Sequence, residues 1–183
     1  MYTMTHKTYG YLLSTLILLY QYPNLLFIAY VSYCIYQHLA PIHFISSGEG
    51  TTPLQRGTSH SAGWDICSTE DKTIPPRERQ LIKTGVHLTA IPHSHYVRVA
   101  PRSSIAVQGI DVGAGVVDAD YRGEIRVLLI NNTDLPYDVT AGQRIAQLIM
   151  EKHLDVPIYW NGVRVDIQDR VRGVGGFGHT GTR

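Results

Sequence analysis

From residue 62 onward, apolar side chains recur at every second position or in short runs, over residues 81–88, 96–100, 125–130, 145–150 and 163–167. Alternation with period two places one set of side chains on one face of an extended chain, which is the pattern of half-buried strands. Turn-forming residues interrupt these runs at close intervals: Pro75-Pro76, Pro92, Pro101, Gly109, Asn131-Asn132, Ala141-Gly142 and Asn161-Gly162. Many short strands with turns at this spacing predict an all-β fold, as a sandwich, jelly roll or small barrel. A chain of 183 residues has room for one such domain and an extension.

The extension is equally plain. Between Thr8 and Gly48 there is no Asp, Glu, Lys or Arg, and residues 11–39 are dominated by Leu, Ile, Tyr, Val and Phe. A spanning helix needs about 20 apolar residues, and Gln21-Tyr22-Pro23-Asn24 divides this run into two shorter pieces. Two readings follow for residues 1–45: a membrane anchor, or an extension dispensable to the domain. Residues 46–61, rich in Gly, Ser and Thr, read as a linker or arm. Residues 62–171 form the β domain, and 172–183 a glycine-rich tail.

Composition narrows the function classes. With 44% hydrophobic and 17% charged residues the chain is foldable, and a net charge of +1 gives no broad electrostatic footprint for nucleic acid. Any phosphate held here belongs to a small ligand. Cys34 and Cys67 have neither disulfide-framework nor zinc spacing, and His93 and His95 lack a third ligand nearby, so they read as a solvated loop.

Three segments carry chemistry. In Gly115-Val116-Val117-Asp118-Ala119-Asp120-Tyr121-Arg122-Gly123-Glu124, charges crowd a tight connection between apolar strands. Asp118, directly after an apolar pair, is placed to take a proton from water; the alternative is a hairpin whose acids pair with Arg122 or Arg126. Pro101-Arg102-Ser103-Ser104 combines a guanidinium with two hydroxyls, as a phosphate cradle or as a solvated turn. Arg172-Gly173-Val174-Gly175-Gly176-Phe177-Gly178-His179-Thr180-Gly181 can wrap a ligand closely, with a cation and one flat ring, or can be a plain flexible tail. The tail fits the letters of a dinucleotide fingerprint, but no helix and acid can follow it, and no Lys-Ser/Thr closes a Walker loop. No nucleophile elbow occurs.

In order along the chain, these segments resemble the five motifs of the trimeric dUTPase family. Ala62-Gly63-Trp64-Asp65-Ile66 resembles the first, Pro101 to Ala106 the second, Gly113 to Glu124 the third, Gly142-Gln143-Arg144-Ile145-Ala146-Gln147-Leu148-Ile149 the fourth, and Arg172 to Gly181 the fifth. The resemblance spans about residues 54–183 and favours the eukaryotic and large-virus branch. It implies a distorted jelly roll, a homotrimer with active sites at subunit interfaces, and hydrolysis of dUTP to dUMP and pyrophosphate, which limits uracil in DNA and supplies dUMP for dTTP synthesis.

By that resemblance Asp118 is the catalytic base. Arg102, Ser103, Ser104, Gln147, Arg172, Gly178 and Thr180 hold phosphates, while Gly115, Val117, Tyr121 and Phe177 hold uracil and deoxyribose. Asp65 reaches Mg2+ through water, with the metal carried mainly by the triphosphate and no all-protein cage. The hairpin expected around residues 109–117 offers backbone groups to the uracil edge, and Tyr121 excludes a 2′-hydroxyl by leaving it clashing and unpartnered. Asp120 is expected to pair with a nearby Arg. The family has Ser where this chain has His179, and often Gly where it has Ser104. The implied compartment of the domain is cytoplasmic or nuclear, with the N-terminus the one candidate membrane contact. Two competing readings are a dCTP deaminase of the same fold and a non-enzymatic binding module.

Overall fold

The structure is a computed structural model that describes residues 22–165 and 173–176. The chain divides into two units, Met1–Ala40 and Pro41–Arg183. The described part of the first is one helix, α1 (Pro23–Leu39). Proline suits its opening position, where the missing N–H is not needed and the fixed φ is already helical. Pro23 therefore starts the helix. At about 1.5 Å per residue α1 is roughly 25 Å long, short of a bilayer core of about 30 Å. Among the described residues no helix is long and apolar enough to cross a membrane.

The second unit begins earlier than the sequence reading placed it. Strand β1 (His43–Ser46) takes its first three residues from the end of the expected extension, yet it pairs antiparallel with β5 (Val86–Ala90). The boundary thus falls between Ala40 and Pro41. The 46–61 arm is fastened to the domain, with Ser47 N–H donating to Gly85 O at 2.7 Å and Asp65 N–H to Gln55 O at 2.7 Å.

Two larger sheets carry the domain. One has the order β2-β11-β6-β8, built from β2 (Trp64–Cys67), β6 (His95–Ala100), β8 (Val116–Val117) and β11 (Arg144–Lys152). The other has the order β4-β9-β7, built from β4 (Arg79–Ile82), β7 (Ile110–Gly113) and β9 (Val127–Asn131). Smaller pairs are β3 (Lys72–Ile74) with β10 (Tyr137–Val139), and β12 (Tyr159–Trp160) with β13 (Val163–Arg164). The run 81–88 is divided between β4 and β5 because Gly85, at φ +67°, turns the chain.

Alternation along β9 puts Val127 and Leu129 inside, where they join Ile66, Ile74, Ile82, Leu88, Val97, Ile110, Ile125, Ile145 and Leu148 in one core. Each fully buried aliphatic side chain contributes about 1.5–3 kcal/mol relative to exposure. Asn131 is also fully buried and ties three segments together. Its Nδ2 donates to Ile74 O at 3.1 Å, Pro75 O at 3.2 Å and Leu135 O at 2.7 Å, and its Oδ1 accepts from Thr133 N–H and Oγ1. Replacing it by Ala leaves several buried groups unpaired, so Asn131→Ala should cost about 3 kcal/mol in urea unfolding; a loss under about 0.5 kcal/mol would contradict this role.

Candidate active site

Two clusters of predicted residues form, at different places on one sheet. The first gathers Asp65, Arg102, Ser103, Ser104 and Gln147. Asp65 on β2 directly faces Gln147 on β11, and Gln147 faces Ala100 on β6. Pro101-Arg102 then leads into a single turn of helix, α2 (Ser103–Ala106), which leaves both serines exposed. Gln147 Nε2 donates to Pro101 O at 2.9 Å. Gly63 presses against Gln147: a Cβ there would lie 2.2 Å from its Oε1. The amide is therefore held between Gly63 and the segment carrying Arg102.

Asp65 is the hub of this cluster. Its carboxylate, 15% exposed, accepts from Arg102 Nε at 2.7 Å and Nη2 at 3.3 Å, and from Arg144 Nη1 at 3.1 Å. An Arg–carboxylate fork is geometrically specific, and partial burial strengthens it. Two guanidiniums on one carboxylate leave one positive charge uncompensated, which suits an anionic ligand. A carboxylate has about four lone-pair sites, and three bonds from these arginines leave Asp65 room for a water. Among the described residues no group of three or more His, Cys, Asp or Glu is arranged to hold a metal.

The second cluster surrounds a cavity of about 210 Å³ lined by Gly113, Ala114, Gly115, Val116, Val117 and Tyr121, with Val99, Glu124, Ile125, Arg126, Leu128 and Gly176. Gly115, Val117 and Tyr121 thus meet as the sequence predicts. The segment around 109–117 is not a hairpin, however: β7 and β8 belong to different sheets. Consecutive positive φ values at Ala114 (58°) and Gly115 (102°) turn the chain from one sheet to the other. A Cβ on Gly115 would lie 2.7 Å from Val99 O, a backbone atom that cannot move aside.

Tyr121 is buried beside this corner and its hydroxyl donates to Glu124 O at 2.9 Å. Burial pushes the phenol above its ordinary value, outweighing the nearby Arg126. A folded value above the unfolded one means that the contribution of the neutral phenol holds through the neutral range. It is lost only as pH rises through the raised value. Gly123 lets the ring lie flat, since a Cβ there would meet it at 2.4–3.0 Å. Glu124, which the sequence reading left without a role, braces the corner by accepting from Thr84 N–H at 3.0 Å and Gly85 N–H at 2.8 Å.

Asp118, partly buried, follows Val117, and its carbonyl accepts from Tyr121 N–H at 3.1 Å. Arg122 donates to Ala119 O and Tyr121 O. Of the tail, Gly173 O accepts from Arg122 N–H at 2.8 Å, and Gly176 packs on the Tyr121 ring. Arg172, Phe177, Gly178, His179 and Thr180 lie outside the described residues.

Register keeps the clusters apart. Val117 faces Val97 and Val116 faces Arg98, so Asp118 leaves the sheet in the direction away from Ala100, whereas Arg102 lies beyond Ala100. Three residues of strand, about 10 Å at ~3.3 Å per residue, separate Val97 from Ala100 before either chain continues outward. A partly buried carboxylate, a cavity of about 210 Å³ and two guanidiniums sharing one carboxylate are the features of a β protein suited to a nucleotide, with its parts divided across one chain.

Residues 50–181 match the dUTPase family model, and the chain belongs to the dUTPase family. It is 42% identical over 146 residues to the deoxyuridine 5′-triphosphate nucleotidohydrolase of variola virus, covering 79% of this chain and 95% of that protein. Against the avian adenovirus 8 protein of the same name, identity is 48% over 128 residues, covering 69% and 76%. Among solved structures, a mutant dUTPase from phage phi11 of S. aureus, described with a structural Mg(II) ion, superposes with TM-score 0.61 at 22% identity, covering 66% of this chain and 95% of that one. That likeness shows the fold, a dUTPase-type β architecture.

Gly115→Ala should collapse the corner. Strain at positive φ adds to the contact with Val99 O, so a stability loss of about 2 kcal/mol or more in denaturant unfolding is expected. A variant as stable as the parent would show that the corner relaxes freely.

Proposed function

We propose that the protein hydrolyses dUTP to dUMP and pyrophosphate as a homotrimer whose sites are shared between subunits. The observation that carries this reading is the separation just described. Base and phosphate cluster sit on one chain but leave β6 in opposite directions, which supports a site in which the base of one copy works with the arginine cluster of another. Symmetric assemblies supply such pairings without new parts.

In this reading the uracil and deoxyribose enter the Gly115–Val117–Tyr121 pocket, where backbone N–H and C=O groups of the corner face the base edge. Tyr121 leaves no room for a 2′-hydroxyl, which would be buried without a partner. Arg102, Ser103, Ser104 and Gln147 hold the phosphates, joined by Arg172, Gly178 and Thr180 from the tail, with Phe177 laid over the base. Asp118 removes a proton from water as its oxygen bonds to phosphorus and the P–O bond to the departing pyrophosphate breaks. Fixed donors around the phosphates stabilise the charge that develops. Asp65, with acceptor capacity left for a water, fits a hydrated Mg2+ arriving with the triphosphate, and the ion would neutralise phosphate charge.

Pyrophosphate release from dUTP, compared with UTP, dTTP and dCTP, tests the substrate; ammonia released from dCTP would favour a deaminase instead. Asp118→Asn should lower kcat by about 100-fold or more with KM little changed. Turnover within a few-fold of the parent would remove Asp118 from the role of base.

A further inference from the structure

We propose that Glu124 is a positioning residue for sugar selection, fixing in place the wall that Tyr121 makes, a role that rests on the reading above of Tyr121 as the group that excludes a 2′-hydroxyl. The Tyr121 ring is located by main chain. It lies across Gly123, where a Cβ would overlap the phenol, and its hydroxyl donates to Glu124 O at 2.9 Å. Gly123 has no side chain with which to anchor itself, and glycine is the residue least able to hold one conformation alone. The ring therefore stays where the backbone of residue 124 is held. A contact that discriminates a single hydroxyl tolerates little slack, so whatever holds that backbone sets the selectivity.

Glu124 holds it with its own side chain. Oε1 accepts from two successive main-chain donors, Thr84 N–H at 3.0 Å and Gly85 N–H at 2.8 Å. Consecutive N–H groups converging on one oxygen favour an anion, and an ionised acceptor makes the stronger hydrogen bonds. Thr84 and Ile125 are both buried, and they complete the clamp: Thr84 Oγ1 donates to Ile125 O, and Ile125 N–H donates to Val86 O at 2.8 Å. The 84–85 turn is itself covered by the arm, since Ser47 N–H donates to Gly85 O and Thr51 Oγ1 occupies the space a Gly85 Cβ would need. On the far side of the clamp the same short segment carries the tail, with Arg122 N–H donating to Gly173 O. A side chain without an acceptor at 124 would leave the Thr84 and Gly85 donors unpaired and release the segment that locates the ring. Glu124 thus links the arm to the sugar wall while acting on the ligand only through Tyr121.

The test compares dUMP with UMP by calorimetry, alongside dUTP and UTP kinetics, on the full-length protein. Glu124→Ala should shrink the preference for dUMP over UMP by about ten-fold or more, the effect of losing charge-assisted hydrogen bonds that hold the wall. The ratio of kcat/KM for dUTP to that for UTP should fall with it. Glu124→Gln keeps an acceptor oxygen for both N–H groups and should recover most of the preference. Lost stability alone lowers the amount of folded protein and leaves these ratios unmoved. Where Glu124→Ala fails to fold, Glu124→Asp carries the test: its carboxylate is withdrawn by one methylene, and a smaller loss in the same direction is expected. Parental preference in a folded Glu124→Ala, or in Glu124→Asp where that variant carries the test, would overturn the proposal. So would a Glu124→Gln as impaired as the other variants, or a parent protein without preference for dUMP. A parent that binds dUMP over UMP but leaves dUTP intact would sink the hydrolase reading and leave the assignment of Glu124 standing.

Discussion

Strand β6 is paired on both sides, and the two registers on it decide how the molecule can work. On one side Val97 faces Val117; on the other, Ala100 faces Gln147. Antiparallel pairing lets neither strand slide without turning its apolar set toward solvent, because the side-chain period is two. Val97, Val117 and Leu148 are all core residues, so the registers are fixed by the same burial that stabilises the domain. Asp118 and Arg102 are consequently carried to different ends of one rigid strand.

Around that constraint, each half-site is braced by its own means. The pocket at the Ala114-Gly115 corner depends on backbone geometry: two positive φ values, the close approach of Gly115 to Val99, and glycines under the Tyr121 ring. Glu124 fixes this corner to the Thr84-Gly85 turn through two backbone donors. The Asp65–Arg102–Arg144 cluster depends on charge instead, with Asp65 joining segments that lie 37 and 79 positions away along the chain. A half-buried carboxylate between two guanidiniums orders side chains that would otherwise be long and flexible.

Much of this was legible in the residues. Alternation marked the strands, and the order of the five motifs carried the family and the residues that the fold gathers into two groups. What escaped had physical causes. Residues 81–88 read as one strand because Gly85 sits between apolar residues on both sides, and its positive φ shows only in three dimensions. Residues 43–45 looked like part of a greasy extension, since an apolar strand and an apolar helix end are alike in composition; pairing with β5 separates them. The corner at Ala114-Gly115 resembled a hairpin because a positive-φ pair serves equally to reverse a strand or to change sheets. The register shift at Arg144 was missed although its signal was present: adjacent apolar residues at Ile145-Ala146 break the alternation of β11. Asp65, assigned to a metal-bound water, also proves to be the anchor of two arginines, a pairing that local sequence cannot reveal across such separations.

The claim on which the account turns is that a working site takes its base from one copy and its arginine cluster from another. Co-expression of Asp118→Asn with Arg102→Gln, each weakly active alone, tests it in purified mixed oligomers. Random assembly of shared sites should restore about a quarter of parental turnover, since each site needs an intact half from each of two chains. Mixed oligomers no more active than the average of the two parents would show that one chain completes its own site, and would contradict the account.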